Sequence, residues 1–214
     1  MSQELGLRER KKLQTRQLIA DTARRLFAER GFEAVTVADV ARAADVSEAT
    51  VFNYFPTKED LFYSGLEAFE QELLSAVRDR QPGESALAAF GRFVLEPRGL
   101  LTAKEPEAIE RLASISRVIA DSPALLAREQ RIFAGYTNSL AAVLAEETGA
   151  AAGDVTPWVA ANTLIGVHRA LVAYARNAVV AGVRNPQLAR QVKAQGRAAL
   201  ALLESGLDDY AIKR

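Results

Sequence analysis

The stretch TVADVARAADVSEATVFNYFPTKEDLF, residues 36–62, constrains this chain more tightly than any other part of it. Thr36 stands at an N-cap position with Asp39 three residues on. At that spacing a side chain and a backbone amide can satisfy each other reciprocally at a helix start. Val37, Val40 and Ala41 follow at helical spacing and give a short apolar face. Ser47 supplies the cap that a second helix needs before Glu48. Between the two, Ala43-Ala44-Asp45-Val46 is a connection of helix-turn-helix length. Val46 and Val51 close the angle, which leaves Glu48, Ala49, Phe52 and Asn53 pointing away from the body. Pro56 ends the helix by disfavouring helical geometry in the residue before it, and Thr57 with Asp60 opens a third. A helix fixed at both ends, yet too short to add much to a core, is there to present its outer face. The expectation is a DNA-reading helix.

Several features in order carry a family resemblance. Gly31-Phe32 ends a first helix, Thr36 opens the second, and the run Ser47-x-x-Thr50-x-Phe52-x-Tyr54-Phe55-Pro56-Thr57-Lys58-x-x-Leu61 follows. Over roughly residues 8–62 the chain resembles the DNA-binding segment of the tetracycline-repressor (TetR) family of bacterial transcription regulators. Ala49 and Phe52 stand where glycine and tyrosine are common in that family, so position 52 has no phenolic hydroxyl to offer a phosphate.

Charge alone does not announce a nucleic-acid binder, since 27 basic side chains balance 27 acidic ones. Its distribution says more. Residues 8–30 carry eight basic and three acidic groups, whereas residues 31–60 carry two basic and six acidic. Attraction to phosphate must therefore come from the arm at residues 1–9 and from the first helix, with Arg8, Arg10, Lys11 and Lys12 at their junction. Hydrophobic content of 49% beside 25% charged residues is globular. The absence of cysteine excludes disulfides and thiolate metal sites. The charged N-terminus has no apolar secretory region, so cytoplasmic residence is expected.

Caps, prolines and glycines predict an all-α chain of nine helices. Three make an N-terminal domain over residues 1–57 and six a regulatory domain over 58–214. The first helix runs from about Arg10 to Arg30, burying Leu18, Ile19, Ala23, Leu26 and Phe27, with Gly31 at its C-terminal stop. A long helix from Lys58 to about Arg80 leads into the second domain, and Gln81-Pro82-Gly83 ends it. Helical segments follow over 84–101, broken near Pro97, then over 106–120 and from Pro123 to about Glu147. Thr156-Pro157 and Asn185-Pro186 open the last two.

Between Val155 and Val183 the only charged residues are Arg169 and Arg176. A membrane span of roughly 20 apolar residues would fit the length, but Asn162, Thr163, His168 and Asn177 also interrupt the stretch, so no membrane partner is expected. A central helix of a monomeric core and a helix shared between two subunits both remain. Small residues Gly166, Ala170 and Ala173 would permit close helix approach. On the final helix Leu188, Val192, Gly196, Ala199 and Leu203 form the matching side. The resemblance implies that these two helices build a homodimer, which would set two reading helices on a palindromic site.

Catalysis finds little support: one histidine, no cysteine, no phosphate-cradling glycine loop and no nucleophile elbow. No enzyme activity, metal or cofactor is expected. In the motif, Glu48, Ala49, Phe52 and Asn53 are placed to meet base edges in a major groove. Thr36, Ser47, Thr50, Tyr54 and Lys58 carry donors at helix ends, where the phosphates of double-stranded DNA would run. The resemblance further implies a cavity for a small, mostly apolar inducer, with Phe90, Phe93, Arg117, Phe133, Tyr136, Trp158, Asn162, His168 and Tyr174 as lining residues. A ligand-responsive repressor follows from it. The competing expectations are a DNA-binding regulator or architectural factor governed by protein partners, and an enzyme acting through carboxylates.

Overall fold

The computed structural model describes residues 6–102 and 106–206. Among them are ten α-helices and one 3₁₀ turn, and no strand. In order they are α1 (Leu7–Arg30), α2 (Val37–Ala43), α3 (Glu48–Tyr54), α4 (Lys58–Phe62) and α5 (Leu66–Arg78). Then come α6 (Ala86–Leu95), the 3₁₀ turn Gly99–Leu101, α7 (Pro106–Asp121), α8 (Pro123–Thr148), α9 (Thr156–Val180) and α10 (Gln187–Ser205). The extra helix arises because the long helix expected from Lys58 is broken. Gly65 adopts φ +98°, outside helical space, and separates α4 from α5. At the other end α1 begins at Leu7, so the expected arm is helical from Leu7 onward with Gly6 as its N-cap, and residues 1–5 lie outside the described residues.

Two compact units emerge. One is drawn from the described part of Met1–Glu67 together with Val118–Arg128, the other from Ala68–Arg117 and the described part of Glu129–Arg214. The division falls beyond Glu67 rather than at 57/58, because α4 packs on α1 and the end of α7 with the start of α8 belongs to the first unit.

In the first unit Ile19, Ala23, Leu26 and Phe27 of α1 are buried with Val35, Val40, Val51, Phe55 and Leu61. Leu18, expected inside, is 51% exposed; the buried stripe runs through Ile19 instead. Phe27, Phe32 and Phe62 pack ring against ring at 5.1 to 6.0 Å. The corner between α7 and α8 is pinned to this unit by polar contacts. Ser122 donates to Glu33 (2.7 Å), the Tyr63 hydroxyl donates to the Leu125 carbonyl (3.1 Å), and Arg128 reaches Asp60 (2.7 Å).

The second unit has its own core, with Leu73, Val77, Phe90, Phe93, Tyr136, Leu140, Ala161, Ile165 and Leu200 buried together. A column of rings runs through it. Phe69 contacts Phe93 (5.4 Å), stacks on His168 (4.7 Å, 20° between planes), and His168 meets Phe133 edge-on (5.8 Å). Helix α10 packs on α6 and α9 of the same chain. Leu188 and Gly196, expected on a subunit interface, are buried within the chain, and a Cβ on Gly196 would stand 2.5 Å from Leu95 and 3.2 Å from Leu171. Val192, Ala199 and Leu203 are half-buried against the same core.

Candidate nucleic-acid interface

The helix-turn-helix motif is built on side-chain caps, reciprocal at α2 and α4. Thr36 Oγ1 accepts from the Asp39 amide (3.1 Å) while Asp39 takes the Thr36 amide (3.0 Å) and hydroxyl (2.6 Å). Those bonds hold the Asp39 carboxyl below the usual carboxylate range, chiefly through the Thr36 side chain and backbone. Helix α2 then turns sharply: Asp45 adopts φ +54° and the Val46 amide closes onto the Ala41 carbonyl (3.0 Å). This is a left-handed helix stop, with an aspartate where glycine is usual. Ser47 Oγ caps α3 by accepting from the Thr50 amide (3.1 Å), and Thr57 with Asp60 repeats the reciprocal box at α4. Within α3, Val51 alone is fully buried.

With Val51 facing in, Glu48, Ala49, Phe52 and Asn53 are all exposed. Phe52 shows 46% of its surface, an aromatic ring that a core-seeking helix would have hidden. Ser47 and Thr50 share one hydrogen bond between their hydroxyls (2.8 Å), which leaves one of the two protons to give elsewhere. Thr36 differs, since its hydroxyl proton and amide are both spent on Asp39. Lys58 lies half-buried with its ammonium over the Phe32 ring at 4.1 Å.

Next to the C-terminal end of α3 lies a notch of about 660 Å³, lined by Gly6, Arg8, Glu9, Lys11, Lys12, Thr15 and Tyr54. It brings three basic side chains of α1 to the last residue of the reading helix. Arg10 is exposed on the same turn of α1. Thr15 belongs to this notch and was not foreseen, although its place four residues after Lys11 puts it on the same helix face.

The expected inducer-lining set is brought together only in part, and there mostly as core. Phe90, Phe93, Phe133 and Tyr136 are buried in the second core, His168 is stacked among them, and Tyr174 is half-buried. Arg117, Asn162 and Trp158 are exposed. Concavities among the described residues of this unit include a cleft and a groove. The cleft, of about 590 Å³, has Leu87, Leu144, Leu164 and Leu203 among its lining residues, with Thr148, Asp154 and Thr156 as polar groups. The groove, of about 430 Å³ between α8 and α9, is bordered by Phe133, Gly166, Arg169, Ala170 and Ala173, with Arg176 and Glu129 at one end. On α9 itself, Gly166, Ala170 and Ala173 are exposed.

A chain whose described residues form helices and no strand, and whose first unit presents a short helix capped by Ser47 beside a basic notch, is a helix-turn-helix transcription regulator. Comparison with known proteins agrees. Residues 19–64 match the family model for bacterial regulatory proteins of the tetR family. The candidate mycofactocin-biosynthesis transcriptional regulator MftR of Mycobacterium tuberculosis is 31% identical over 163 residues, 73% of this chain and 76% of its own length. The regulator TcmR of Streptomyces glaucescens is 30% identical over 146 residues, 67% of this chain and 65% of its own. Among solved structures, NalD of Pseudomonas aeruginosa, described as the secondary repressor of the MexAB-OprM multidrug efflux pump, shares the fold. Its TM-score is 0.53 at 20% identity, over 94% of this chain and all of its own. The chain belongs to the TetR family of DNA-binding transcription regulators.

Proposed function

We propose that this regulator works as a homodimeric repressor of a palindromic operator, released by a small, mostly apolar molecule. The observation that carries the reading is a stripe on α9. Val159, Thr163, Gly166, Ala170, Ala173, Asn177 and Val180 recur at alternating spacings of four and three, all exposed and none charged. An uncharged seam of that length fits a second helix rather than water. A two-fold axis through it makes the two copies of α3 equivalent, as an inverted repeat in DNA demands. Glu48, Ala49, Phe52 and Asn53 then read bases. Arg8, Arg10, Lys11, Lys12, Ser47, Thr50, Tyr54 and Lys58 hold phosphates, and Thr36 acts mainly by fixing α2.

For the inducer, the 590 Å³ cleft has the size and apolar lining of a small-molecule site. Binding there would favour the dimer conformation in which the heads no longer match the operator, a population shift set by the ligand's differential affinity. The packing of the expected aromatic set into the core favours a second reading, a regulator tuned by protein partners without an inducer. Selecting DNA fragments with the purified protein and weighing the complexes tests the first reading. Two chains per inverted repeat, released by apolar compounds, is the expected result; one chain per asymmetric site overturns the dimeric repressor, and indifference to every compound favours the second reading.

A further inference from the structure

Trp158, the single tryptophan of the chain, is 50% exposed near the start of α9, beside Val155 (69%) and Val159 (52%). At about 100° per residue it shares a flank of α9 with Arg169 and Arg176. That flank faces α8, since Arg169 donates to Gln130 (2.6 Å) and Arg176 grips Glu129 with both terminal nitrogens (Nη1 to Oε2, 2.8 Å). The fork-to-fork pair uses two of the five in-plane donors of Arg176 and leaves the face of its guanidinium for stacking. The pair stands at one end of the 430 Å³ groove.

We infer that, in the homodimer, the Trp158 indole of each copy packs on the Arg176–Glu129 end of the other copy's α8–α9 groove. This rests on the homodimer read from the α9 stripe. Of the registers that set stripe residue against stripe residue, the one centred on the smallest pair, Gly166 with Ala170, lets the two helices approach most closely. A two-fold axis midway between Gly166 and Ala170 sets Gly166 opposite the partner's Ala170, Thr163 opposite the partner's Ala173 and Val159 opposite the partner's Asn177. Every one of these is an exposed stripe residue, and the central contact is made by the smallest side chains. A two-fold axis perpendicular to a helix reverses its direction but keeps its flanks facing like flanks. Trp158 then lies about 15 Å from the midpoint and the partner's Arg176 about 12 Å from it on the same side, within one helical turn. An indole over a guanidinium whose charge is already partnered is a favourable, water-excluding contact. Tryptophan and arginine are also the side chains on which interfaces concentrate their binding energy.

A lone tryptophan makes the test direct. Its fluorescence should shift to longer wavelength as dilution dissociates the dimer, in step with the sedimentation coefficient. Trp158→Ala should raise the dimer dissociation constant roughly 30-fold or more. Since the chain has no cysteine, Val159→Cys with Asn177→Cys should oxidise to a covalent dimer, and Val159→Cys alone should not. Full-strength dimers of Trp158→Ala, or water-like emission from a sedimenting dimer, would overturn the placement of Trp158 while leaving the homodimer intact. Failure of the double-cysteine variant to cross-link, with dimers present, overturns the register on which that placement depends. A chain that sediments as a monomer at every concentration overturns the homodimer itself and this placement with it.

Discussion

Arg128 closes on the one carboxylate oxygen of Asp60 that the cap of α4 leaves over. Asp60 Oδ2 holds the amide and hydroxyl of Thr57 (3.0 and 2.8 Å), while Oδ1 receives Arg128 Nε and Nη2 (2.7 and 2.6 Å). One carboxylate thus starts the helix that follows the reading helix and also ties down the first turns of α8. Both side chains are largely withdrawn from water, so the pair is worth more than a surface ion pair. Arg128→Ala should cost about 1–3 kcal/mol in urea unfolding. Asp60→Ala should cost about 1 kcal/mol more, because the cap goes with it. Equal losses for the two variants would show that the cap contributes nothing.

Sequence discrimination should reside in two side chains of α3. Phe52→Ala with Asn53→Ala removes an exposed ring and an amide that support no part of the core, so the fold should persist. Specific affinity for a selected operator should fall by about 1–3 kcal/mol for each base edge no longer read, toward the level of random DNA. Undiminished operator binding in a gel-shift titration would remove both residues from the reading face.

Phosphate attraction should behave differently. Lys11→Gln with Lys12→Gln takes two charges from the notch beside Tyr54. Binding to every sequence should weaken alike, and the slope of log affinity against log salt should shrink by about 1.8 for each chain bound, about 3.6 for a dimer. Lys58→Ala should change that slope less, because its ammonium is already seated over Phe32. A larger effect from Lys58 than from the notch pair would reverse this ranking.

The three capped helix starts were legible because a cap is local. Thr36 with Asp39, Ser47 before Glu48, and Thr57 with Asp60 each need only a few residues to declare themselves, and each bond is present. The break at Gly65 was not legible, since Leu61, Phe62, Leu66 and Phe69 keep helical spacing across it. Nor does periodicity say whose surface an apolar face meets. Leu188 and Gly196 look like an interface in sequence but are claimed by α6 and α9 of the same chain. The aromatic set posed the same problem, because a ring that fills a core and a ring that lines a cavity occupy identical positions on a helix. The Arg128–Asp60 pair joins residues 68 positions apart, and no local signal reports such a pairing.

Two glycines with opposite surroundings should respond with opposite signs. Replacing Gly166 by alanine meets nothing within 4 Å, so it should stabilise the monomer fold by about 0.5–1 kcal/mol through helix propensity. Gly196→Ala gains the same propensity, but its Cβ would sit 2.5 Å from Leu95. Overpacking of about 1–3 kcal/mol should outweigh the gain. Urea unfolding of the two variants at concentrations where the chain is monomeric separates the cases, and a stabilised Gly196→Ala would mean that Leu95 swings aside at little cost.

His168 should give the second unit an acid sensitivity with a defined window. Its ring is stacked on Phe69 and edge-on to Phe133. Burial, and secondarily the charge of Arg176, lower its pKa from 6.5 to about 4. The unfolded chain therefore binds a proton that the folded chain refuses between those values, and stability must rise with pH across that window. The contribution is fully present above about pH 6.5, declines as pH falls toward 4, and changes no further below it. Its size is at most a few kcal/mol. Asp39 and Glu84, whose carboxyls are held below their usual range by hydrogen bonds, lose their own contributions at the lower end of the scale. Comparison with His168→Phe isolates the histidine, since the substituted ring keeps the stacked column. As pH is lowered from 6.5 to 4, the urea midpoint of the histidine protein should fall relative to that of the variant. The two midpoints then converge if the variant starts less stable, and separate in the variant's favour if it starts equal. Curves that stay parallel over that interval would mean that His168 titrates alike in the folded and unfolded chain.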